Sequence, residues 1–189
     1  MKLSKLTGII LATSMTCSVL ADDRGWYAGL DIGSTSYSEQ GFEDSASSGS
    51  ALGGWKFNKY FKLQGNLYSL GEYSSNSDIV DSVEMNGLAI TAIGTLPLGE
   101  AGFELYGRAG LSIMNYIQNI AIGDDTFENK STGDAIVTGF GATFTHPGFQ
   151  RLTFHVGFEN YYFETTNFSS SDNNSHSINN VVLGARFNF

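Results

Sequence analysis

The last nine residues restrict the fold more than any other stretch. Val181, Leu183, Ala185, Phe187 and Phe189 alternate with Val182, Gly184, Arg186 and Asn188. A strand here has one face that is apolar and doubly aromatic, and another that carries Gly, Arg and Asn. At the fraying end of a soluble sheet Phe187 and Phe189 would be stranded in water. At the rim of a closed barrel they lie in lipid at the membrane boundary.

The same alternation recurs upstream. Trp26, Ala28, Leu30 and Ile32 oppose Tyr27, Gly29, Asp31 and Gly33, and Ala51, Gly53, Trp55 and Phe57 share a face. Phe61, Leu63, Gly65 and Leu67 oppose Lys62, Gln64, Asn66 and Tyr68. Leu88, Ile90, Ala92, Gly94 and Leu96 stand against Gly87, Ala89, Thr91 and Thr95, with Ile93 an apolar exception on the inner face. Phe103 to Ile113, Ile136 to Phe144 and Leu152 to Phe158 repeat the pattern. The segments match the ~9–11 residues that a tilted spanning strand needs. Three tight turns, at Asn58-Lys59-Tyr60, Pro97-Leu98-Gly99-Glu100 and His146-Pro147-Gly148, alternate with four polar stretches. These stretches are Ser34–Gly49, Gly71 to about Asp81, about Gln118 to Gly133 and Thr165–Ser177, and they read as long loops. The pattern predicts an all-β chain, an eight-stranded antiparallel up-and-down transmembrane β-barrel. The even strand number returns both termini to one side, and closure satisfies the backbone where there is no water.

The N-terminus predicts export. Lys2 and Lys5 precede the mostly apolar Leu6–Ala12, and Val19-Leu20-Ala21 places small residues at −3 and −1 before Asp22. This is the layout of a signal peptide over residues 1–21, followed by a barrel domain over 22–189. Cys17, the one cysteine, lies in the leader, so the mature chain has no disulfide to stabilise it. After Ala21 no apolar run approaches the ~20 residues of a spanning helix.

Charge supports the proposed faces. Asp31, Arg108, Glu159 and Arg186 all fall on the inner side, where they form a candidate structural lumen network. A one-residue slip would aim Arg108 at hydrocarbon, at a cost of roughly 2–4 kcal/mol near the midplane. Aromatics divide into two groups. Trp26, Trp55, Phe57, Tyr60, Phe61, Phe103, Phe144, Phe149, Phe187 and Phe189 lie near the short turns, and Tyr68, Tyr73, Tyr116, Tyr162, Phe163 and Phe168 near the long connections. The expectation is two headgroup belts. Inner glycines (Gly29, Gly33, Gly110, Gly139, Gly141, Gly157, Gly184) leave room for water-filled pockets.

The chain resembles the eight-stranded barrel of the outer membrane protein A family. The resemblance runs from about Gly25 to Phe189. It is carried by Gly25-Trp26-Tyr27-Ala28-Gly29, Lys56-Phe57-Asn58-Lys59-Tyr60-Phe61, Gly87-Leu88-Ala89-Ile90-Thr91-Ala92, Leu105-Tyr106-Gly107-Arg108-Ala109-Gly110 and Leu183-Gly184-Ala185-Arg186-Phe187-Asn188-Phe189. It implies an integral protein of a Gram-negative-type outer membrane, with periplasmic termini and a small filled barrel. Longer members continue into a peptidoglycan-binding domain that has no counterpart after Phe189, so cell-wall tethering is not implied. Larger members pair lumen charges in a gate. The corresponding positions here, Gln64, Ile93, Thr143 and Gly157, carry no charge.

In or beside the polar stretches lie Glu39, Glu43, Asp44, Glu72, Asp78, Asp81, Glu84, Asp124, Asp125, Glu128, Asp134, Glu164 and Asp172 against one base, Lys130. Arg24, Lys56, Lys59, Lys62 and Arg151 gather at the other rim. This acidity disfavours nucleic acid. It leaves divalent cations shared with lipopolysaccharide phosphates as an option, without any ordered metal-ligand spacing. His146 reads as a turn residue and His155 as a lumen filler, while His176 and Ser177 with Glu164 or Asp172 are the one conceivable nucleophile set.

The expected function is a structural or surface-interaction role through four long acidic extracellular loops. The alternatives are a narrow porin-like passage and, behind it, a lipid-modifying enzyme. No catalytic residue, metal or cofactor is assigned. The expected partners are outer-membrane lipid and lipopolysaccharide, an extracellular ligand, and the barrel-assembly machinery, which would read Phe187 and Phe189 as a C-terminal signal. The expected state is a monomer.

Overall fold

The computed structural model describes residues 24–39, 42–74, 80–122, 125–166 and 173–189. Its strands are β1 (Gly25–Glu39), β2 (Phe42–Asn58), β3 (Phe61–Ser74), β4 (Val80–Pro97), β5 (Phe103–Ile122), β6 (Asp125–Thr145), β7 (Leu152–Thr166) and β8 (Asn173–Asn188). They pair antiparallel in chain order and close when β8 pairs with β1, from Tyr27 opposite Asn188 to Tyr37 opposite Ile178. Closure removes both sheet edges.

The tight turns have local causes. Asn58 Oδ1 accepts the backbone N–H groups of Tyr60 and Phe61 at 2.8 and 2.9 Å, an Asx turn that reverses the chain between β2 and β3. His146 Nδ1 accepts the N–H of Gly148 at 3.1 Å, and its carbonyl accepts that of Phe149 at 2.9 Å. His146 is therefore a turn residue, as its sequence neighbours indicate.

At the opposite end the expectation of long loops is corrected. The strands are 14–21 residues long, and much of each polar stretch is paired β-ladder. Residues 34–39 pair with 42–47, and Met114–Ile122 pair with Asp125–Gly133. Outside the membrane both faces of a hairpin can be wet, so hydrophobic alternation stops while backbone pairing goes on. At ~3.3 Å per residue, tilted ~40°, the β5–β6 hairpin rises on the order of 20 Å above the apolar band.

The outward face follows the sequence pattern. Leu30, Leu67, Leu111, Phe140 and Leu183 are all exposed, Leu111 at 71%. The band ends at a polar row across β4, β5 and β6, where Thr132 Oγ1 donates to Asn115 Oδ1 at 3.0 Å and Asn115 Nδ2 reaches Asn86 Oδ1 at 3.4 Å.

The aromatic belt at the short-turn end is present: Trp26, Phe57, Tyr60, Phe61, Phe103, Phe149, Phe187 and Phe189 are exposed. The second belt is not. Tyr68, Tyr73 and Phe163 are buried inside the barrel, and Tyr116 packs against the same interior cluster. Of the expected set only Tyr162 is exposed, and Phe168 lies outside the described residues. For Tyr73 the cause is a bulge. The β3–β4 register shifts between Ser69 and Gly71, and Gly71 has φ +93°. A Cβ there would press on Ala46 and Ser47, and only glycine adopts this conformation without strain. The extra residue switches parity, which turns Glu72 outward and Tyr73 inward.

The lipid-facing assignment predicts a depth-dependent cost. Leu111→Arg should lower the unfolding free energy in phospholipid bilayers by roughly 2–4 kcal/mol, and Thr132→Arg, above the band, by about 0–1 kcal/mol. Reversible guanidinium titrations would measure both, and equal losses would contradict the assigned faces.

Candidate functional site: the barrel lumen

The interior is stacked in three layers set by strand register. Nearest the short turns, the Arg186 guanidinium carbon lies 5.8 Å from the ring centroids of both Tyr27 and Tyr106. Lys62 Nζ contacts Glu104 Oε2 at 3.0 Å. Tyr27 donates to Gln64 Oε1 at 3.1 Å, and Gln64 Nε2 donates to Asn66 Oδ1 at 2.7 Å.

The middle layer holds the Arg108–Glu159 ion pair and a separate His155–Asp31 contact. Arg108 Nη1 donates to Glu159 Oε1. The second Glu159 oxygen accepts from Tyr161 at 2.9 Å and from Asn180 Nδ2 at 3.5 Å. His155 Nε2 lies 3.0 Å from Asp31 Oδ1, close enough for attraction but not aligned as a hydrogen bond, and Ser50 donates to Asp31 Oδ2 at 3.2 Å. All four side chains, Arg108, Glu159, His155 and Asp31, are buried. An ion pair removed from water survives when further hydrogen bonds serve its remaining lone pairs, as Tyr161 and Asn180 do for Glu159.

The layer on the hairpin side is apolar. Tyr68, Leu70, Tyr73, Val83, Met85, Ala89, Met114, Ala135, Val137, Tyr161, Phe163 and Ile178 form one buried cluster inside the barrel. The Tyr68 and Tyr161 rings meet at a tilt with centroids 4.9 Å apart, and Tyr68 and Ser112 share a short hydrogen bond. The lumen is thus half salt-bridged and half a hydrophobic core.

The inner glycines are not pockets, which corrects the sequence expectation. A Cβ at Gly157 would collide with the Tyr106 hydroxyl and one at Gly184 with Asp31 and His155, while one at Gly139 would collide with the Phe158 carbonyl and crowd the Arg108 stem. Each marks the place where a long neighbour crosses the barrel, the small–large pairing that fills a narrow interior.

The four lumen residues singled out by sequence all face inward and are buried. Arg108 and Glu159 are brought together; Asp31 instead faces His155, and Arg186 sits apart in its aromatic clamp. The gate-equivalent positions Gln64, Ile93 and Thr143 are fully buried packing positions, and Gly157 holds Tyr106. Sequence reasoning missed the Lys62–Glu104 pair and the apolar layer. The signal for the second was available, because Met85, Ala89, Met114, Ala135 and Val137 occupy inner-parity positions. Ser177 is exposed, and the side chains of His176, Glu164 and Asp172 lie outside the described residues. Among the described residues no three His, Cys, Asp or Glu side chains converge as a metal site. Residues 1–21, expected from the sequence to be a signal peptide, also lie outside them.

Residues 7–147 match the outer membrane protein beta-barrel domain family. The chain belongs to that family. No curated protein matches it. Among solved structures it is similar to Neisserial surface protein A (NspA), at 15% identity and TM-score 0.65, covering 87% of this chain and 97% of that one. It is also similar to Ail, the attachment invasion locus protein of Yersinia pestis, at 16% identity and TM-score 0.56, covering 87% and 99%. The N-terminal barrel of Pseudomonas aeruginosa OprF gives 15% and 0.55, covering 86% and 97%. At these identities the likeness establishes the shared fold. Family membership makes this an outer-membrane β-barrel protein, and its outward apolar band is the lipid-facing surface.

The middle layer predicts strong non-additivity. Glu159→Leu alone leaves Arg108 buried and unpaired and should cost about 3–5 kcal/mol, whereas Arg108→Met with Glu159→Leu should recover most of that loss. A double-mutant cycle on unfolding free energies would measure the coupling; additive losses would show that the two groups act independently.

Proposed function

We propose that this outer-membrane barrel is a sealed anchor that displays acidic β-hairpins at the cell surface, in a structural or surface-interaction role. The observation that carries this reading is the apolar layer. Leu70, Met85, Val137 and Ile178 fill the lumen on the hairpin side and are fully buried. A hydrated solute would have to displace that packed core as well as the Arg108–Glu159 pair below it. A narrow porin-like passage is therefore disfavoured, and catalysis through His176 and Ser177 gains no orienting framework from the described residues.

The hairpins supply the interaction surface. Glu72, Glu84 and Asp134 are exposed on the outer side, at or beyond the upper edge of the apolar band. Their backbone is held in paired strands, so a partner would meet a pre-organised surface at small entropic cost. A structure of Ail holds the heparin analogue sucrose octasulfate. In this chain the acidic excess favours the opposite partner chemistry, a cationic surface or lipopolysaccharide phosphates bridged by divalent cations. Phe187 and Phe189, exposed with ring centroids 5.3 Å apart, are proposed as the signal read by the assembly machinery. The continuous apolar band favours a monomer with periplasmic termini.

Two measurements test the reading. Purified barrel in planar bilayers is expected to give no stable conductance; reproducible unitary channels would overturn the sealed lumen. Glu72→Gln, Glu84→Gln and Asp134→Asn together should weaken binding of polylysine to barrel-containing vesicles without altering heat-modifiable gel migration. Unchanged polylysine binding would remove the hairpins from the proposed role.

A further inference from the structure

Among the described residues, the mouth of the lumen at the short-turn end carries more positive charge than the carboxylates lining it balance. Lys56, Lys62 and Arg186 line one cavity there, with Glu104 as the one carboxylate among its walls. Glu104 is already engaged by Lys62 Nζ at 3.0 Å and by the Thr143 hydroxyl at 3.3 Å. Lys56 and Lys62 are direct cross-strand partners in the β2–β3 register. Like charges so placed repel each other unless something between them compensates.

Arg186 is the stronger indication. It is 3% exposed, its Nε and Nη2 find no hydrogen-bond acceptor among the described residues, and its guanidinium lies over the Tyr27 and Tyr106 rings. Ring faces attract a guanidinium but do not accept its in-plane N–H groups, so the charge is clamped without being neutralised. Buried charges are normally paired. The cavity beside it measures about 20 Å³ and is also lined by Thr145, Thr153 and Asn188, whose polar groups bond to one another and to the turn backbone. That is room for about one water-sized occupant. The cavity of about 10 Å³ in the middle layer is lined by Asp31 and Glu159 and would repel an anion.

We propose that this mouth binds one small inorganic anion, of halide size, held between Arg186, Lys56 and Lys62. The anion supplies the negative charge that this layer lacks. Its site is too small for phosphate unless Tyr27 or Lys62 moves, so selection is by size as well as charge.

The test uses the full folded barrel in non-ionic detergent at constant ionic strength. Thermal unfolding, read from heat-modifiable migration, is followed as sodium gluconate is replaced by sodium chloride, sodium bromide or sodium phosphate. Chloride and bromide should raise the midpoint saturably and phosphate should not. Lys56→Gln, at a half-exposed position, should raise the apparent halide dissociation constant about tenfold, equivalent to one lost ion contact of ~1.4 kcal/mol. Arg186→Gln should abolish the halide effect; should that variant not fold, Lys56→Gln and a bromide anomalous peak beside Arg186 in crystals of the wild-type barrel decide the matter. Superimposable curves in chloride and gluconate, an equal response to phosphate, a halide response unchanged in Lys56→Gln, or bromide crystals without a peak there would each overturn the site.

Discussion

Every peptide group that crosses hydrocarbon has to find its partner within the chain, and this requirement governs the rest of the molecule. Eight strands meet it only if the last returns to the first. The pairing of β8 with β1, from Tyr27–Asn188 to Tyr37–Ile178, is therefore as necessary as any hairpin. Once the ring is closed at this strand number, the interior is just wide enough for side chains. Outward residues meet lipid, and inward residues must fill a narrow tube without leaving charges or voids.

That tube is filled by matching long side chains to glycines across the barrel. Tyr106 lies over Gly157, Arg108 crosses beside Gly139, and Asp31 with His155 occupies the space at Gly184. Here an inner glycine reports the reach of its neighbour. The charges that the lumen contains are sorted by depth. Ion pairs and amides occupy the short-turn half, and a core of Leu, Met, Val and Tyr occupies the half beneath the hairpins. This core excludes water by close packing, its tyrosine hydroxyls being held by Ser112, the Leu70 carbonyl and Glu159, and that packing is the basis of the sealed lumen proposed above.

Outside the membrane the same ladder continues for a different purpose. The polar hairpins are strands because pairing with a neighbour remains favourable when both faces are wet, and β5 and β6 run on as far as Ile122 and Asp125. The family's fold is thereby turned from a membrane span into a raised surface whose exposed acids stand on fixed backbone.

The sequence by itself determined what alternation and the cost of burying charge can determine. Strand number, the outward faces, the inward direction of Asp31, Arg108, Glu159 and Arg186, the turns at Asn58 and His146 and the aromatic belt at Trp26 and Phe189 were all legible, because a bilayer penalises every error of parity. Tertiary structure alone decided what lies across the barrel from what. It set Asp31 against His155 rather than Arg108, left Arg186 between two tyrosine rings, and drew Tyr68, Tyr73 and Phe163 into an interior core. Periodicity along one strand carries no information about a partner several strands away around a closed ring. At Gly71 a single bulged residue reversed the parity on which any reading of the sequence beyond it depends.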